Sequence, residues 1–334
     1  MTLRVGVIGT GMIGTEHVDR LAHRVVGSTV TAVFDVATER AERIAAGLGA
    51  RAHASAFDLV ADPEVDAVVI ASPGDLHAEQ AIACIEAGKP VMCEKPLATT
   101  DGDALKVVQA EVVAGRRLVQ VGFMRRYDRA YLDTKAGITQ GVIGEPLMAH
   151  AVHRNPSVPD SFVGEMSLTD SVVHEFDLFR WLFDQEVQAV TVLGVRRSPL
   201  AAAHLRDPQL VILEFANGAV VDIESFVNCQ YGYDVRCEIV GSTGTLSVQN
   251  PGTTAISVTG ARSESVPADW RVRFGLAYTD ELQAWVRSVQ TGVPEGPSAW
   301  DGYAAVAVAA AAVASYTAGA RVEVRLPERP ALYA

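Results

Sequence analysis

Three groups of residues in this 334-residue chain have types and spacings that could carry chemistry. The first is Gly9-Thr10-Gly11-Met12-Ile13-Gly14. Gly9 would permit a tight turn, Gly11 would let the backbone approach a pyrophosphate, and Gly14 would let a helix pack on a strand. Met12 and Ile13 fall at the start of that helix, where unpaired N–H groups and the positive end of the dipole face phosphates. Asp35, 21 residues beyond Gly14, is spaced to accept hydrogen bonds from ribose hydroxyls. Its charge would repel a 2′-phosphate, so the pattern favours NAD over NADP, with Arg40 read as a solvated surface residue. The second group, Glu94-Lys95-Pro96, could place an ammonium beside a reacting carbon–oxygen bond, and could equally be an exposed turn. The third is Asp170, His174 and Asp177, at i, i+4 and i+7 and therefore on one face of a helix. A histidine tuned by a neighbouring carboxylate is a general base. A solvated face with a capping aspartate has the same spacing, and the pattern alone does not choose.

The elements around these groups alternate. Leu3 to Ile8 is a β-branched run followed at once by the glycines and a helix-like stretch to Ala22. Ser28 to Phe34 reads as a strand ending at Asp35, and Thr38, read as an N-cap, opens a helix to Leu48. Asp66 to Ala71, Pro90 to Cys93 and Arg117 to Val121 read as further strands. His77 to Ala87 (closed by Gly88) and Asp101 to Ala114 read as the helices between them. Such alternation predicts βαβ units and a parallel sheet, a Rossmann domain. After Gly122 the texture changes to strands at Pro146 to Arg154, Val187 to Arg196, Gln209 to Phe215, Ala219 to Asn228, Asp234 to Val240 and Gly244 to Val248. Asn217-Gly218 is a hairpin signal between two of them. One helix, Ser171 to Phe183, interrupts the series, and an Ala-rich helix, Trp300 to Thr317, follows it. The expected architecture is an α/β Rossmann domain over residues 1–122, then an α+β domain over residues 123–334 with a large, mostly antiparallel open sheet. The boundary reads as a hinge with a cleft beside it, and the Ala-rich helix as able to pack back on the first domain.

Composition narrows the function classes. With 49% hydrophobic and 20% charged residues the chain is globular and not disordered. A net charge of −12 argues against nucleic acid as a partner. Cys84, Cys93, Cys229 and Cys237 form no CxxC pair and read as reduced thiols. No metal-ligand cluster is visible. No signal peptide is visible, and the longest apolar run, Tyr303 to Ala314, is too short to span a bilayer. The expectation is a cytoplasmic protein with no membrane partner. The alternate Val211, Leu213, Phe215, Val221 and Ile223 imply a sheet with two faces, of which the domain's own helices can cover one. The other would be an apolar patch in a monomer, so symmetric pairing of sheets is expected.

Taken together and in order, Gly9 to Gly14, Glu94-Lys95-Pro96 and Asp170-x-x-x-His174 resemble the Gfo/Idh/MocA oxidoreductase family over the whole chain. Gly122-Phe123-Met124-Arg125-Arg126-Tyr127-Asp128, His153-Arg154-Asn155-Pro156 and Asp170 to Asp177 are similar to members of that family that act on inositols. The resemblance implies NAD-dependent oxidation of a secondary ring hydroxyl of a cyclitol, myo-inositol first, in a homotetramer. It implies Lys95, Asp170 and His174 as the catalytic trio, with His174 taking the hydroxyl proton, Asp170 orienting it and Lys95 offsetting alkoxide charge. It implies Arg125, His153, Asn155, Asp177 and Tyr233 for the substrate hydroxyls. Ser72, His77 and Glu94 fall on the nicotinamide side, although Ser72-Pro73-Gly74-Asp75-Leu76-His77 departs from the family in carrying Gly-Asp where an Asn is common. Another polyol or aldose, such as scyllo-inositol or glucose, or a non-catalytic NAD-sensing role, are the competing readings.

Overall fold

The computed structural model describes residues 2–250 and 255–334. Two compact units divide the chain: Met1–Met124 with Tyr278–Val306 and Leu326–Ala334, and Arg125–Ala277 with Ala307–Arg325.

In the first unit the order is β1 (Leu3–Ile8), α1 (Met12–His23), β2 (Ser28–Phe34), α2 (Thr38–Leu48), β3 (Arg51–Ala52), α3 (Ala56–Ala61), β4 (Ala67–Ile70), α4 (His77–Glu86), β5 (Val91–Cys93), α5 (Asp101–Ala114) and β6 (Val119–Val121). The six strands lie in the order β3-β2-β1-β4-β5-β6 and every pair is parallel, the Rossmann winding. Strands buried on both faces need unbroken apolar runs, and Ala67–Ile70 and Val91–Cys93 are wholly buried. Thr100 caps α5 by accepting from the Asp103 N–H, and Gly115 closes it at φ 69°. Thr38 does not cap α2: it is the first helical residue, Ala37 holds the cap position, and the Ala37 N–H is bonded instead by Asp35.

The second unit comprises α6 (Arg129–Thr139), β7 (Pro146–Arg154), α7 (Val173–Phe183), β8 (Val187–Gly194), β9 (Gln209–Phe215), β10 (Val220–Phe226), β11 (Asp234–Gly241), β12 (Thr245–Val248) and a small hairpin, β13 (Ile256–Val258) with β14 (Ala261–Ser263). Two long helices follow along the chain, α8 (Trp270–Thr291), which belongs to the first unit from Tyr278 onward, and α9 (Ala299–Ala318), which belongs to the first unit up to Val306, and then β15 (Val322–Glu323) in the second unit. The seven-stranded sheet runs β12-β11-β7-β10-β9-β8-β15. Only β7 with β10 is parallel among the described pairs; the others are antiparallel. Asn217-Gly218 makes the expected β9–β10 turn, with Gly218 at φ 86° and the Asn217 side chain accepting from the Ala219 N–H.

Helix α8 was not anticipated from the sequence. Leu282, Trp285 and Val286 from it complete the core formed by Val5, Val7, Leu21, Val33 and Val69 in the first unit. Its apolar residues do not keep to one stripe, since Val272 and Leu276 are exposed, and that blurs the helical period.

Candidate functional site

In the first unit the candidate residues are built on the carboxyl ends of the parallel strands. Gly9 takes φ +86°, and a Cβ there would lie 2.5 Å from the Ala71 carbonyl. A Cβ on Gly14 would lie 2.0 Å from the Gly9 oxygen, so helix and turn meet at glycine-only distance. A Cβ on Gly11 would meet nothing within 4 Å. That open side, at a helix whose cap residue has no side chain to bond the first N–H groups, fits a pyrophosphate. Met12 is exposed and Ile13 half-buried beside it.

Asp35, 6% exposed, is already well supplied with donors. Its Oδ2 accepts from the Thr10 N–H (2.6 Å) and hydroxyl (2.8 Å), and its Oδ1 from the Ala37 N–H (2.8 Å) and Arg40 Nη2 (2.6 Å). Burial pushes this carboxyl up, but those four donors outweigh it and hold it below the ordinary range. Arg40 keeps a 42% exposed side chain, as a solvated surface residue would, and is bonded to the Asp35 carboxylate.

Glu94 is buried, its Oε1 2.6 Å from His17 Nε2 and its Oε2 accepting from the Lys95 N–H at 3.1 Å. His77 is buried with Nδ1 2.7 Å from the Pro96 carbonyl and Nε2 2.9 Å from the Ser72 carbonyl. It ties the loop after β4 to the loop after β5, and the Ser72 hydroxyl donates to Gln80. Lys95 is half-buried on the loop so held.

A separate group of candidate residues, in the second unit, lies on α7 and its neighbours. Asp170 is not in an α-helix. It sits in a π-helical turn, Ser167–Ser171, whose wide hydrogen bond runs from the Val172 N–H to the Ser167 carbonyl. Such turns recur at functional sites because they re-aim side chains. The helix read from Ser171 therefore starts at Val173, and His174, 7% exposed, is its second residue.

Asp177 is buried and accepts a two-pronged bond from Arg126, Nε at 2.9 Å and Nη2 at 2.5 Å. Arg125 turns elsewhere. Its guanidinium, 2% exposed, pairs with Glu175, lies 3.2 Å from His153 Nδ1 and stacks 5.5 Å from the Phe274 ring. Tyr233 packs edge-on to His153 and burial raises its hydroxyl pKa. Arg125, His153, Tyr233 and Glu175 thus form one buried cluster. Asn155 follows β7 with its Oδ1 buried and without a hydrogen-bond partner among the described residues.

Sequence reasoning missed Glu175, Arg126, His17 and the pairing of Arg40. Glu175 had one signal, a carboxylate beside His174 on an otherwise apolar helix. Among the described residues no group of three or more His, Cys, Asp or Glu side chains could hold a metal ion, and no helix is long and apolar enough to cross a membrane.

Comparison with known proteins closes the description. Residues 3–123 match the family model described as oxidoreductase family, NAD-binding Rossmann fold, and residues 135–324 match the C-terminal alpha/beta domain of the same family. Inositol 2-dehydrogenase 3 of Saccharopolyspora erythraea is 49% identical, over 100% of this chain and 98% of its own. Inositol 2-dehydrogenase of Pseudomonas syringae pv. syringae is 47% identical over 100% of both. The crystal structure of myo-inositol dehydrogenase from Lactobacillus casei, in complex with NAD(H) and myo-inositol, superposes with a TM-score of 0.97 at 36% identity, covering 100% of both chains. With a parallel Rossmann sheet, a second mostly antiparallel sheet and matches to both family domains, this chain belongs to the Gfo/Idh/MocA oxidoreductase family, residues 3–123 being its NAD-binding domain.

Proposed function

We propose that the protein is an NAD-dependent dehydrogenase that oxidises myo-inositol to 2-keto-myo-inositol, in inositol catabolism. The observation that carries this is the full-length likeness, in sequence and fold, to a myo-inositol dehydrogenase solved with both NAD(H) and myo-inositol. The local chemistry agrees with an uncharged polyol. A ring of hydroxyls offers no ion pair, so recognition must come from many buried hydrogen-bonding groups, each costly to leave unmatched. Asn155 Oδ1, buried and unpartnered among the described residues, is such a group. His153, Asp177 and Tyr233 would supply others. Arg125 acts in this proposal through Glu175 and His153, because its own guanidinium is committed to them.

Gly9, Gly11, Met12, Ile13, Gly14 and Asp35 would hold the dinucleotide, with Ser72, His77 and Glu94 shaping the nicotinamide side. NAD, when bound, supplies a hydride acceptor at its nicotinamide C4. The chain's own part is proton and charge management. His174 takes the hydroxyl proton on an imidazole nitrogen, Asp170 holds that ring and favours its charged form, and the Lys95 ammonium offsets negative charge on the oxygen as it loses its proton. Removing one preorganised donor of this kind costs about 10²–10³ in kcat. The enzyme is proposed to work in the cytoplasm as a homotetramer.

NADH formation, followed by absorbance with myo-inositol, scyllo-inositol, glucose and xylose, tests the reading. Turnover of myo-inositol at the highest kcat/KM of the panel is expected. Robust activity on an aldose with none on myo-inositol would overturn the substrate, and no NADH from any polyol or aldose would favour a sensing role.

A further inference from the structure

The cluster around Glu175 raises a question of protons that geometry answers. His153 Nδ1 lies 2.9 Å from Glu175 Oε2 and 3.1 Å from Oε1, and 3.2 Å from Arg125 Nη2. An arginine can only donate and an ionised carboxylate can only accept. Nδ1 must therefore choose. If it carried a lone pair it would accept from Arg125 but face a carboxylate at close range. If it carries the proton it donates to Glu175, and Arg125 satisfies itself on the same carboxylate. Burial pushes the Glu175 carboxyl up, but Arg125 and His153 beside it outweigh that and hold it below the ordinary range, so it is ionised. Glu175 and Arg125 are each 2% exposed at the side chain, so no bulk water competes for these bonds.

We infer that Glu175 is a positioning residue for substrate specificity: it holds a proton of His153 on Nδ1, so that the ring meets the substrate through Nε2 as an acceptor that recognises a hydroxyl by that hydroxyl's proton. The inference rests on the proposed cyclitol activity for its substrate half. It assigns a direction to the hydrogen bond, which the resemblance to inositol-acting members leaves open, since a histidine can serve in either sense.

Replacing Glu175 by glutamine reverses the direction. The glutamine carbonyl is claimed by Arg125, which cannot accept, so the NH₂ faces Nδ1 and obliges it to accept. The proton then sits on Nε2, which becomes a donor. A ring fluorine accepts weakly and cannot donate, so paired deoxy and fluoro analogues of myo-inositol, substituted in turn at each carbon not oxidised, separate the two cases.

The experiment has two arms. In the first, ¹⁵N spectra of histidine-labelled protein, with the His153 signals assigned by loss in His153→Gln, report which ring nitrogen is protonated. Nδ1–H is expected in the unmodified enzyme and Nε2–H in Glu175→Gln. In the second, at one ring position the deoxy and fluoro analogues should lose kcat/KM equally, about tenfold or more, through KM. In Glu175→Gln the fluoro analogue should regain several-fold over its deoxy partner at that position. The unmodified enzyme's spectrum and analogue ratios decide the matter even if the variant does not fold. Nε2–H in the unmodified enzyme, or a fluoro analogue as good as myo-inositol at every position where the deoxy analogue is poor, overturns the inference. Absence of NADH from myo-inositol itself removes the proposed function and the substrate half of this inference, while the spectrum still decides the tautomer.

Discussion

At the scale of single residues, the candidate carboxylates of each unit are distinguished by the partners they hold. Asp35 has Arg40, Asp177 has Arg126, Glu94 has His17, and Glu175 has both Arg125 and His153. A buried charge without a partner is costly, so each pair both fixes a side chain and sets what it can still offer a ligand. Two predictions belong here. His174→Ala should lower kcat by about a hundredfold to ten-thousandfold, the usual cost of losing a general base. NADH binding, read by fluorescence titration, should be unchanged, and a variant with near-normal turnover would move the proton acceptor elsewhere. The second concerns cofactor choice. On the proposed reading of Asp35 as the ribose-binding carboxylate, its charge would repel a 2′-phosphate, while Arg40, bonded to it at 2.6 Å, would pair with one. The unmodified enzyme should prefer NAD over NADP widely, Asp35→Ser should narrow the kcat/KM ratio by at least tenfold, and adding Arg40→Ala should cancel that gain. Equal use of both cofactors by the unmodified enzyme would refute the argument.

At the scale of elements, the loops after β4 and β5 are tied down by contacts distant in sequence. His77 links the loops after β4 and β5, and His17 on α1 reaches Glu94. The end of the chain is fastened likewise. Glu111 on α5 is fully buried, accepts from the Leu118 and Val119 N–H groups ahead of and within β6, and accepts from the Tyr333 hydroxyl at 2.7 Å. Burial raises its pKa in spite of those bonds. Folding therefore favours the protonated form relative to the unfolded chain, where a glutamate titrates near about 4.3. The stability from this group is complete below that pH and is lost as pH rises through the folded-state pKa. Glu111→Gln keeps the shape and cannot ionise. Its melting temperature should rise relative to the unmodified protein as pH goes from 4 to 7, and a difference independent of pH would refute the assignment.

At the scale of the whole molecule, the second sheet has one covered and one open face. Ala149, Ala151, Val211, Leu213, Val221, Ile223 and Ile239 are buried on one side. Register places Met148, Val152, Leu210, Ile212 and Val220 on the other, among the pairs His150–Asp222 and Arg154–Glu224. That mixture of apolar and charge-paired residues suits a symmetric contact between copies, in which the same strip meets itself. Light scattering at micromolar concentration should give about four times 35.5 kDa. A monomer would refute the assembly, and Met148→Asp should lower the mass without changing the far-UV spectrum.

The sequence by itself determined what is local or periodic. The glycine spacing, the apolar runs of β1, β4 and β5, the alternation along β9 and β10 and the Asn217-Gly218 turn each have a physical cause within about ten residues of chain, and each is found in the fold. Only the tertiary structure decided what depends on burial by distant segments. Arg125 and Arg126 are neighbours of the same type, yet one meets Glu175 and the other Asp177 about fifty positions away. Nothing in their spacing separates them. The π-helical turn that carries Asp170 is a backbone hydrogen-bond shift with no side-chain period to announce it. Helix α8 hides because two of its large apolar residues, Val272 and Leu276, are exposed, so its apolar residues follow no single stripe. Local preference chooses the elements; the partners of a buried charge are chosen by whichever opposite charge the packed chain leaves within reach.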